Sequence, residues 1–422
     1  MHKKLVVGLL LLANVIFAFA NDAEKKFTFK PYGFVRNDFY SDTYKGLDVA
    51  QENFYLVPYY TGVDANGNDI NKNQSSNLTA LATRLGVRVS GPEVLRAQTS
   101  AVIEGDFAGI TKQHANLLRI RLAYVDMKWE KVRLRMGQDW HPYWTDGLFP
   151  TVASFNTGAP FMAFNRSPQV RVDRYFGGFS LGAAVLYENQ FTSKVLGNAS
   201  YASENQAQRN GGMPEISVFA SQSVCNWNFA IGGEVKRIQP RFTTTGTSES
   251  VYRSDEYLTS YSSSLLLRYK SEKLMFTART FYGQNMTHLT MLGGYAVATK
   301  QAETGAETYT NFNTVTALFN IVYGVKWQVG AFGGYGKNLG TSDAVYNNGG
   351  SMITAGLLPN VMNHWRLSAH MAYNIQNMRF VLEYELTEAN YGVGDLDFAN
   401  GLYGKTHGAL NNRVVLSMAY TF

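Results

Sequence analysis

The strongest constraint on the fold is an alternation of apolar and polar residues that repeats along almost the whole chain. From Leu81 to Ser90, leucine, threonine and valine occupy one face, and alanine, arginine, glycine and serine occupy the other. Successive side chains of a β-strand point to opposite faces, so a period of two residues indicates half-buried strands. No helical periodicity of useful length follows residue 21. The sequence therefore predicts an all-β protein.

Sixteen such segments are predicted, and the connections between them alternate in length. The connections near 91–93 and 129–131 are short, whereas the one near 40–79 is long and polar. Short turns at one end and long loops at the other are typical of an up-and-down outer-membrane barrel. The predicted strands are 27–39, 80–90, 94–107, 117–128, 131–140, 168–174, 178–188, 214–222, 226–238, 257–270, 273–284, 312–322, 325–336, 363–374, 378–388 and 411–422.

Alternating strands also build soluble sandwiches and propellers, so this alternative has to be weighed. Aromatic residues such as Trp227, Tyr269 and Trp365 lie near predicted strand ends, as in the girdles at membrane interfaces. The opposite face is rich in Ser, Gly, Asn and Arg, which is too polar for a dry core. In lipid the sheet must close on itself to pair its backbone groups. We therefore favour a transmembrane antiparallel β-barrel of about sixteen strands with an aqueous lumen.

The N-terminal segment predicts export. A basic start at residues 2–4 precedes an apolar run, and the small residues Ala18 and Ala20 form a cleavage site. We expect a signal peptide at 1–20 and the barrel at 21–422. Cys225 is the one cysteine in the sequence, so the barrel has no internal disulfide. The net charge of +6 is spread along the chain and does not indicate binding to nucleic acid.

Several short motifs occur in an order that resembles a known family. They are Thr83–Arg88, Glu104–Phe107, Leu118–Tyr124, Gly137–Trp140 and Ser167–Arg171. In this order they resemble the DcaP-like trimeric outer-membrane porins of Gram-negative bacteria. The aromatic end at Phe422 is similar to the terminus that the barrel-assembly machinery recognises. The resemblance implies a homotrimer in the outer membrane, with the loop after the fifth strand folded into the pore.

Arginine dominates the polar face of strands two to six. Arginine is always charged, and its planar fork matches carboxylates and phosphates. Rows of such side chains in a pore favour anions. The alternative is that these arginines only pair with inward acids across strands, which would leave selectivity nearly unchanged. The predicted channel-lining, anion-binding residues are Arg84, Arg88, Arg96, Arg119, Arg121, Arg133, Arg135 and Arg171.

The predicted loop at 141–167 carries more aromatic residues than a solvated outer loop would. If it folds inward and packs on the barrel wall, it narrows the pore. The alternative is packing against other loops or a neighbouring subunit. The residues expected to form this constriction are Tyr143, Trp144, Phe149, Phe155 and Arg166.

Two loops have acidic spacing that weakly suggests Ca²⁺ ligands. These are Asp64, Asn66 and Asn68 in the first loop, and Asp395 and Asp397 near the end of the chain. Neither loop has a distal bidentate glutamate, and exposed turns use the same residues. The seven histidines show no metal-binding spacing. We predict no cofactor and no metal site beyond these weak candidates.

The sequence therefore predicts a porin, a passive diffusion channel that prefers small anions, and not an enzyme. The resemblance implies carboxylates as its solutes. The alternatives are an outer-membrane barrel enzyme, which would need a Ser/His or Asp/His pair at one rim, and an adhesin or receptor without a transport role. The expected partners are small anionic solutes, outer-membrane lipid, further copies of the chain and, through Phe422, the barrel-assembly machinery.

Overall fold

The computed structural model describes residues 27–49, 52–109, 116–196 and 205–422. The predicted signal peptide lies outside these residues. Within them, no helix has the length and apolar character needed to cross a bilayer. The few helical segments are short: one turn of 3₁₀ helix at Pro142–Gly147, an α-helix at Gln206–Asn210 and another 3₁₀ turn at Met286–Leu289.

Sixteen long strands form the body of the molecule and confirm the predicted number and order. Each pairs antiparallel with its sequence neighbours. The strands are β1 Thr28–Asp42, β2 Arg84–Ser90, β3 Gln98–Asp106, β4 Arg119–Lys128, β5 Val132–Trp140, β6 Arg166–Phe176, β7 Phe179–Leu186, β8 Glu215–Val224, β9 Trp227–Ile238, β10 Leu258–Lys270, β11 Leu274–Gln284, β12 Glu307–Gly324, β13 Trp327–Thr341, β14 Val361–Ile375, β15 Met378–Asp397 and β16 Leu402–Thr421.

The barrel closes where β1 pairs with β16. Phe34 lies opposite Thr421, and the register continues to Asp42 opposite Arg413. Gly33 and Phe422 exchange two backbone hydrogen bonds of 3.1 Å at the end of this seam. Every barrel strand therefore has two neighbours, and the sheet has no open edge in its body.

Shorter strands extend the wall and the loops at the long-loop end. Ser75–Thr79 pairs with the far half of β1, and Gly293–Lys300 pairs with both β12 and Thr354–Leu357. Two small hairpins are formed by Gly46–Val49 with Phe54–Pro58 and by Thr243–Thr245 with Val251–Arg253.

Side chains alternate between an apolar outer face and a polar inner face. On β14, Leu367 and Met371 are about half exposed, whereas Arg366 is 1% exposed. Aromatic pairs lie on the outer face at the short-turn end, where Trp327 packs 4.5 Å from Tyr373. This arrangement suits a protein surrounded by lipid and agrees with the predicted transmembrane barrel.

A hydrophobic cluster, which we call the inner core, lies inside the barrel. It is built by the first loop, by the loop at 141–165, here called the inner loop, and by the loop after β11. The inner faces of several strands complete it. Its members include Phe54, Leu56, Phe161, Phe164, Met286 and Leu289. These loops thus pack against one another in the lumen, where they occupy part of its cross-section.

Leu81 and Ala82 belong to this inner core, which explains one error in the predicted strands. The prediction gave an unbroken strand over 80–90, but the pairing with β1 stops at Thr79 and resumes at Arg84. The intervening residues turn inward, where Leu81 is 3% exposed. Burial in the inner core therefore overrides the local alternation.

A β-bulge explains a second error. Glu104 of β3 lies opposite Leu122, but the next residue of β3 lies opposite Ile120, so Arg121 is an extra residue in β4. A bulge shifts the alternation by one position. Leu122 and Tyr124, which the alternation predicts on the lipid face, therefore line the interior.

Candidate functional site

Two carboxylates and two arginines on β3 and β4 form the first part of a charged wall. Arg119 lies 2.6 Å from Asp106, and Arg121 lies 2.8 Å from both Asp106 and Glu104. Asp106 is completely buried, so its charge depends on these two guanidinium groups. The predicted arginines thus come together as expected, but in ion pairs.

The second part of the wall lies on β5 and β6. Arg133 and Arg171 share Asp173 at 2.9 and 2.8 Å. Arg135 contacts Asp126 at 2.7 Å and also reaches Asp139. The Arg135 guanidinium covers the Tyr124 ring at 4.0 Å, a distance suited to a cation–π contact.

Two predicted arginines on β2 are less tightly paired. Arg84 approaches Glu104 only to 3.5 Å and lies 5.0 Å from the Phe34 ring. Arg88 stacks 4.6 Å from the Tyr32 ring, and no carboxylate pairs with it in the described part of the chain. Both guanidinium groups therefore keep donors available.

Arginine outnumbers acid on this wall. Together with Arg166, the described residues of β2 to β6 place eight arginines against five carboxylates. The wall keeps an excess of positive charge after pairing. The arginines are Arg84, Arg88, Arg119, Arg121, Arg133, Arg135, Arg166 and Arg171, and the acids are Glu104, Asp106, Asp126, Asp139 and Asp173.

Arg96 is not part of the wall, and its prediction as an inward strand residue is wrong. β3 begins at Gln98, and Arg96 lies in the preceding turn with a positive φ of 61°. The turn is closed by reciprocal backbone hydrogen bonds between Val94 and Ala97. The side chain of Arg96 is exposed at the short-turn end of the barrel.

A cavity of about 390 Å³ lies between this wall and the inner loop. Its lining combines four arginines and two aromatic residues of the wall, Tyr124 and Trp140, with the inner-loop rings of Trp144 and Phe149. A flat, anionic solute would meet both guanidinium donors and ring faces. The lining residues are Arg88, Leu122, Tyr124, Arg133, Arg135, Asp139, Trp140, His141, Trp144, Gly147, Phe149 and Arg171.

The inner loop is anchored to the far wall by hydrogen bonds to its backbone. Glu383 of β15 accepts the N–H groups of Ala153 and Ser154, both at 2.9 Å. Arg366 of β14 donates to the carbonyl of Ala159 at 2.7 Å. These buried, charged side chains hold an irregular segment across the lumen.

Aromatic contacts fix the near end of the inner loop. Trp144 stacks on Trp140 at 3.9 Å between ring centroids and on Phe149 at 4.7 Å. The Tyr143 and Ser262 hydroxyl groups share a hydrogen bond of 2.9 Å. The ring centroid of Phe155 lies 6.1 Å from that of Phe54 in the first loop. The predicted loop aromatics therefore pack inside the barrel.

Arg166, the first residue of β6, is the most deeply buried arginine of the wall, with 0% exposure. Its Nε donates to Gln190 at 2.8 Å, and its guanidinium lies 4.7 Å from the Trp140 ring. It supports the ring stack and does not line the cavity.

The weak calcium candidates have the geometry of exposed turns. Asp64 accepts the N–H groups of Asn66 and Asn68 at 2.8 and 2.9 Å, and the side chain of Asn68 donates to it as well. The hydrogen bonds from Asn68 are the main cause that lowers the pKa of Asp64. Asp397 accepts from Ala399 in the same way, and Asp395 is exposed beside it.

Several residues of the site escaped the sequence prediction. Asp126 points inward only because of the bulge at Arg121, which no local signal marks. The role of Glu383 as a loop anchor depends on a contact with Ala153, 230 positions away in the chain. His141 has a carboxylate partner, Glu215, on a distant strand.

Substitution of Asp106 by alanine is expected to reduce stability strongly. Removal of one partner from a buried ion pair costs about 3–5 kcal/mol, because Arg119 and Arg121 lose their shared carboxylate. Urea unfolding in detergent micelles would measure the loss. Asp255→Ala is the control, because its pair with Arg253 is exposed and should contribute little. Equal effects of the two substitutions would contradict a structural role for the buried pair.

The fold is that of solved outer-membrane channels. No protein-family model and no curated protein sequence matches the chain. The outer-membrane channel DcaP of Acinetobacter baumannii superposes with a TM-score of 0.65 at 17% identity, covering 94% of this chain and 97% of that one.

Two further structures superpose less closely. An anion-selective porin from Comamonas acidovorans gives a TM-score of 0.55 at 10% identity, over 94% of this chain and 100% of that one. The trimer form of OmpT, an outer-membrane protein of Vibrio cholerae, gives 0.53 at 10% identity, over 94% and 99%. The predicted resemblance is therefore confirmed at the level of the fold: this sixteen-stranded barrel has the fold of these outer-membrane channels.

Proposed function

We propose that the protein is a passive diffusion channel of a Gram-negative outer membrane with a preference for small anions, carboxylates in particular. One observation carries the proposal: among the described residues that line a cavity inside the closed barrel, four are arginines and one, Asp139, is a carboxylate. An aqueous slot between low-dielectric walls concentrates the field of such a row.

The ion pairs of the wall do not remove this field. Asp126 and Asp173 neutralise part of the positive charge through their pairs with Arg135 and Arg133. Arg88 has no acidic partner among the described residues. A guanidinium group has five N–H donors, and Arg135 uses three of them on Asp126 and Asp139. The pairs therefore fix the positions of the guanidinium groups, and Arg88 and Arg135 have further N–H groups that can meet a passing anion.

The geometry of β5 and β6 suits transfer of a carboxylate from one fork to the next. Arg135 and Arg171 lie opposite each other in the register, which places their Cα atoms about 5 Å apart. A short dicarboxylate could contact both at once. Binding must remain weak, because a tightly held solute would block the pore.

Assembly as a homotrimer is part of the proposal. The half-exposed apolar outer face requires lipid or other copies of the chain around it. OmpT of Vibrio cholerae, with the same fold, has been solved in a trimer form. The end at Phe422 would present the aromatic terminus to the barrel-assembly machinery.

Planar-bilayer recording of the purified protein tests the proposed function. We expect stepwise conductance and, in a salt gradient, a reversal potential on the anion side. High salt should reduce the preference, because the Debye length falls from about 10 Å at 0.1 M to about 3 Å at 1 M. A membrane that stays sealed would refute the channel, and a cation preference at low salt would refute the proposed selectivity.

A further inference from the structure

Four buried side chains from four separate segments meet at the base of the inner loop. His141 is the first residue of that loop, Glu215 begins β8, Glu234 lies on β9, and His288 lies in the 3₁₀ turn after β11. Each side chain is at most 2% exposed. This group, here called the His₂Glu₂ cluster, lies outside the arginine wall apart from the edge that His141 shares with the cavity.

Each carboxylate of the His₂Glu₂ cluster faces both imidazole rings. Nε2 of His141 lies 2.6 Å from Oε1 of Glu215 and 3.4 Å from Oε2 of Glu234. Nε2 of His288 lies 2.9 Å from Oε1 of Glu234 and 3.4 Å from Oε2 of Glu215. Zinc bound tetrahedrally at about 2.0–2.1 Å needs ligand atoms about 3.3 Å apart. The cluster is therefore already close to the size of a four-coordinate site.

Two of these ligand atoms have no hydrogen-bond partner in the described part of the chain. They are Oε2 of Glu215 and Nε2 of His288, both completely buried. Nε2 of His288 lies 2.9 Å from Oε1 of Glu234, but this contact lacks the alignment of a regular hydrogen bond. Buried polar atoms are almost always satisfied, so two orphans directed into one cluster indicate a missing group.

The charge of the cluster calls for a cation. Lys236 touches the cluster, with Nζ 2.5 Å from Nδ1 of His288, and lies 3.6 Å from Glu188. With both imidazoles neutral and the two cluster carboxylates and Glu188 all ionised, the Lys236 ammonium compensates only one of three negative charges. One divalent ion would neutralise the other two, and buried charges require such pairing.

We propose that His141, Glu215, Glu234 and His288 bind one divalent transition-metal ion of the zinc type. Two imidazoles and two carboxylates suit zinc, whereas Ca²⁺ and Mg²⁺ prefer oxygen ligands alone. Coordination through Nε2 of His288 places a proton on its Nδ1. Lys236 then keeps three other contacts: the Ser193 hydroxyl and the Asn285 carbonyl, each at 2.8 Å, and Glu188 at 3.6 Å.

The bound ion would fasten the base of the inner loop to the barrel wall. It would join that loop to β8, to β9 and to the loop after β11, all in one coordination sphere. The site would thus have a structural role and would hold the loop that lines the arginine cavity. Metal binding at this site can be measured without measuring channel activity.

Direct metal binding tests the site. Full-length protein purified in detergent is stripped with a chelator, dialysed and titrated with Zn²⁺, and the bound metal is measured by mass spectrometry and calorimetry. We expect one zinc per chain, with Ca²⁺ and Mg²⁺ failing to compete. Loss of a ligand in His288→Gln or Glu215→Gln should weaken zinc binding more than the roughly 10–100-fold expected for an outer-shell change.

His407→Gln is the matched control, because His407 hydrogen-bonds to Thr61 on an exposed surface. It should leave the zinc affinity unchanged. If the ligand variants fail to fold, Co²⁺ added to the wild-type protein provides a second measurement, since a tetrahedral site gives an intense visible absorption. Absence of zinc binding by the wild type, wild-type affinity in His288→Gln, or octahedral cobalt spectra would each overturn the proposal.

Discussion

Replacement of residues 145–162 by a short Gly/Ser linker is expected to raise the single-channel conductance severalfold. This segment crosses the lumen and supplies Phe155, Phe161 and Met162 to the inner core. A barrel of sixteen strands is too wide for its wall side chains to fill, so removal of the segment would leave a wider aqueous path. Planar-bilayer recording at fixed salt measures the change.

The exposed hairpin at 243–253 provides the control for this replacement. Exchange of residues 246–250 for the same linker alters a surface turn and should leave the conductance unchanged. The size threshold in liposome swelling should rise with the first replacement and not with the second. An inner-loop variant with wild-type conductance would show that the narrowest part of the path lies elsewhere.

The double substitution Arg88→Ser and Arg171→Ser is expected to move the reversal potential toward cations. Both residues line the cavity, so the change removes half of its arginines. Among the described residues, no carboxylate loses its last partner, because Arg88 has no acidic partner there and Asp173 keeps Arg133 at 2.9 Å. The effect on selectivity can therefore be separated from a loss of stability.

Arg96→Ser with Arg253→Ser is the matched control, because it makes the same change in net charge at exposed positions outside the cavity. Its reversal potential should equal that of the wild type. The difference between the two double variants should shrink as the salt concentration rises. Equal shifts in both would indicate that overall charge, and not the cavity, determines selectivity.

The sequence predicts the barrel well because each strand is marked by its own alternation of apolar and polar residues. A residue that faces lipid must be apolar, so alternation marks each strand independently of the rest of the chain. The predicted strand ends are wrong where a strand extends beyond the lipid, because its outward residues there need not be apolar. β15 continues to Asp397, beyond its predicted end at 388, and β16 begins at Leu402, before its predicted start at 411. In these added parts the two strands pair through residues without apolar side chains, such as Asn390 opposite Gly408.

The interior is harder to predict because it depends on contacts between distant segments. Alternation predicts the arginines on β2 to β6 but does not identify the carboxylates that pair with them, and Arg96 lies two residues before the strand on which it was expected. The His₂Glu₂ cluster spans residues 141 to 288, and no motif spacing relates its members. Only the closed sheet brings them together.

The seam between β1 and β16 joins the first strand of the barrel to the last, so the barrel can close only after the whole chain has been synthesised. β1 pairs with a strand that is synthesised more than 370 residues later, since Asn37 lies opposite Met418. Until then the growing sheet has two free edges, which bind other strands readily and which lipid cannot satisfy. Contacts this distant in sequence form slowly. Closure of the β1–β16 seam must therefore precede or accompany the exposure of these edges to lipid.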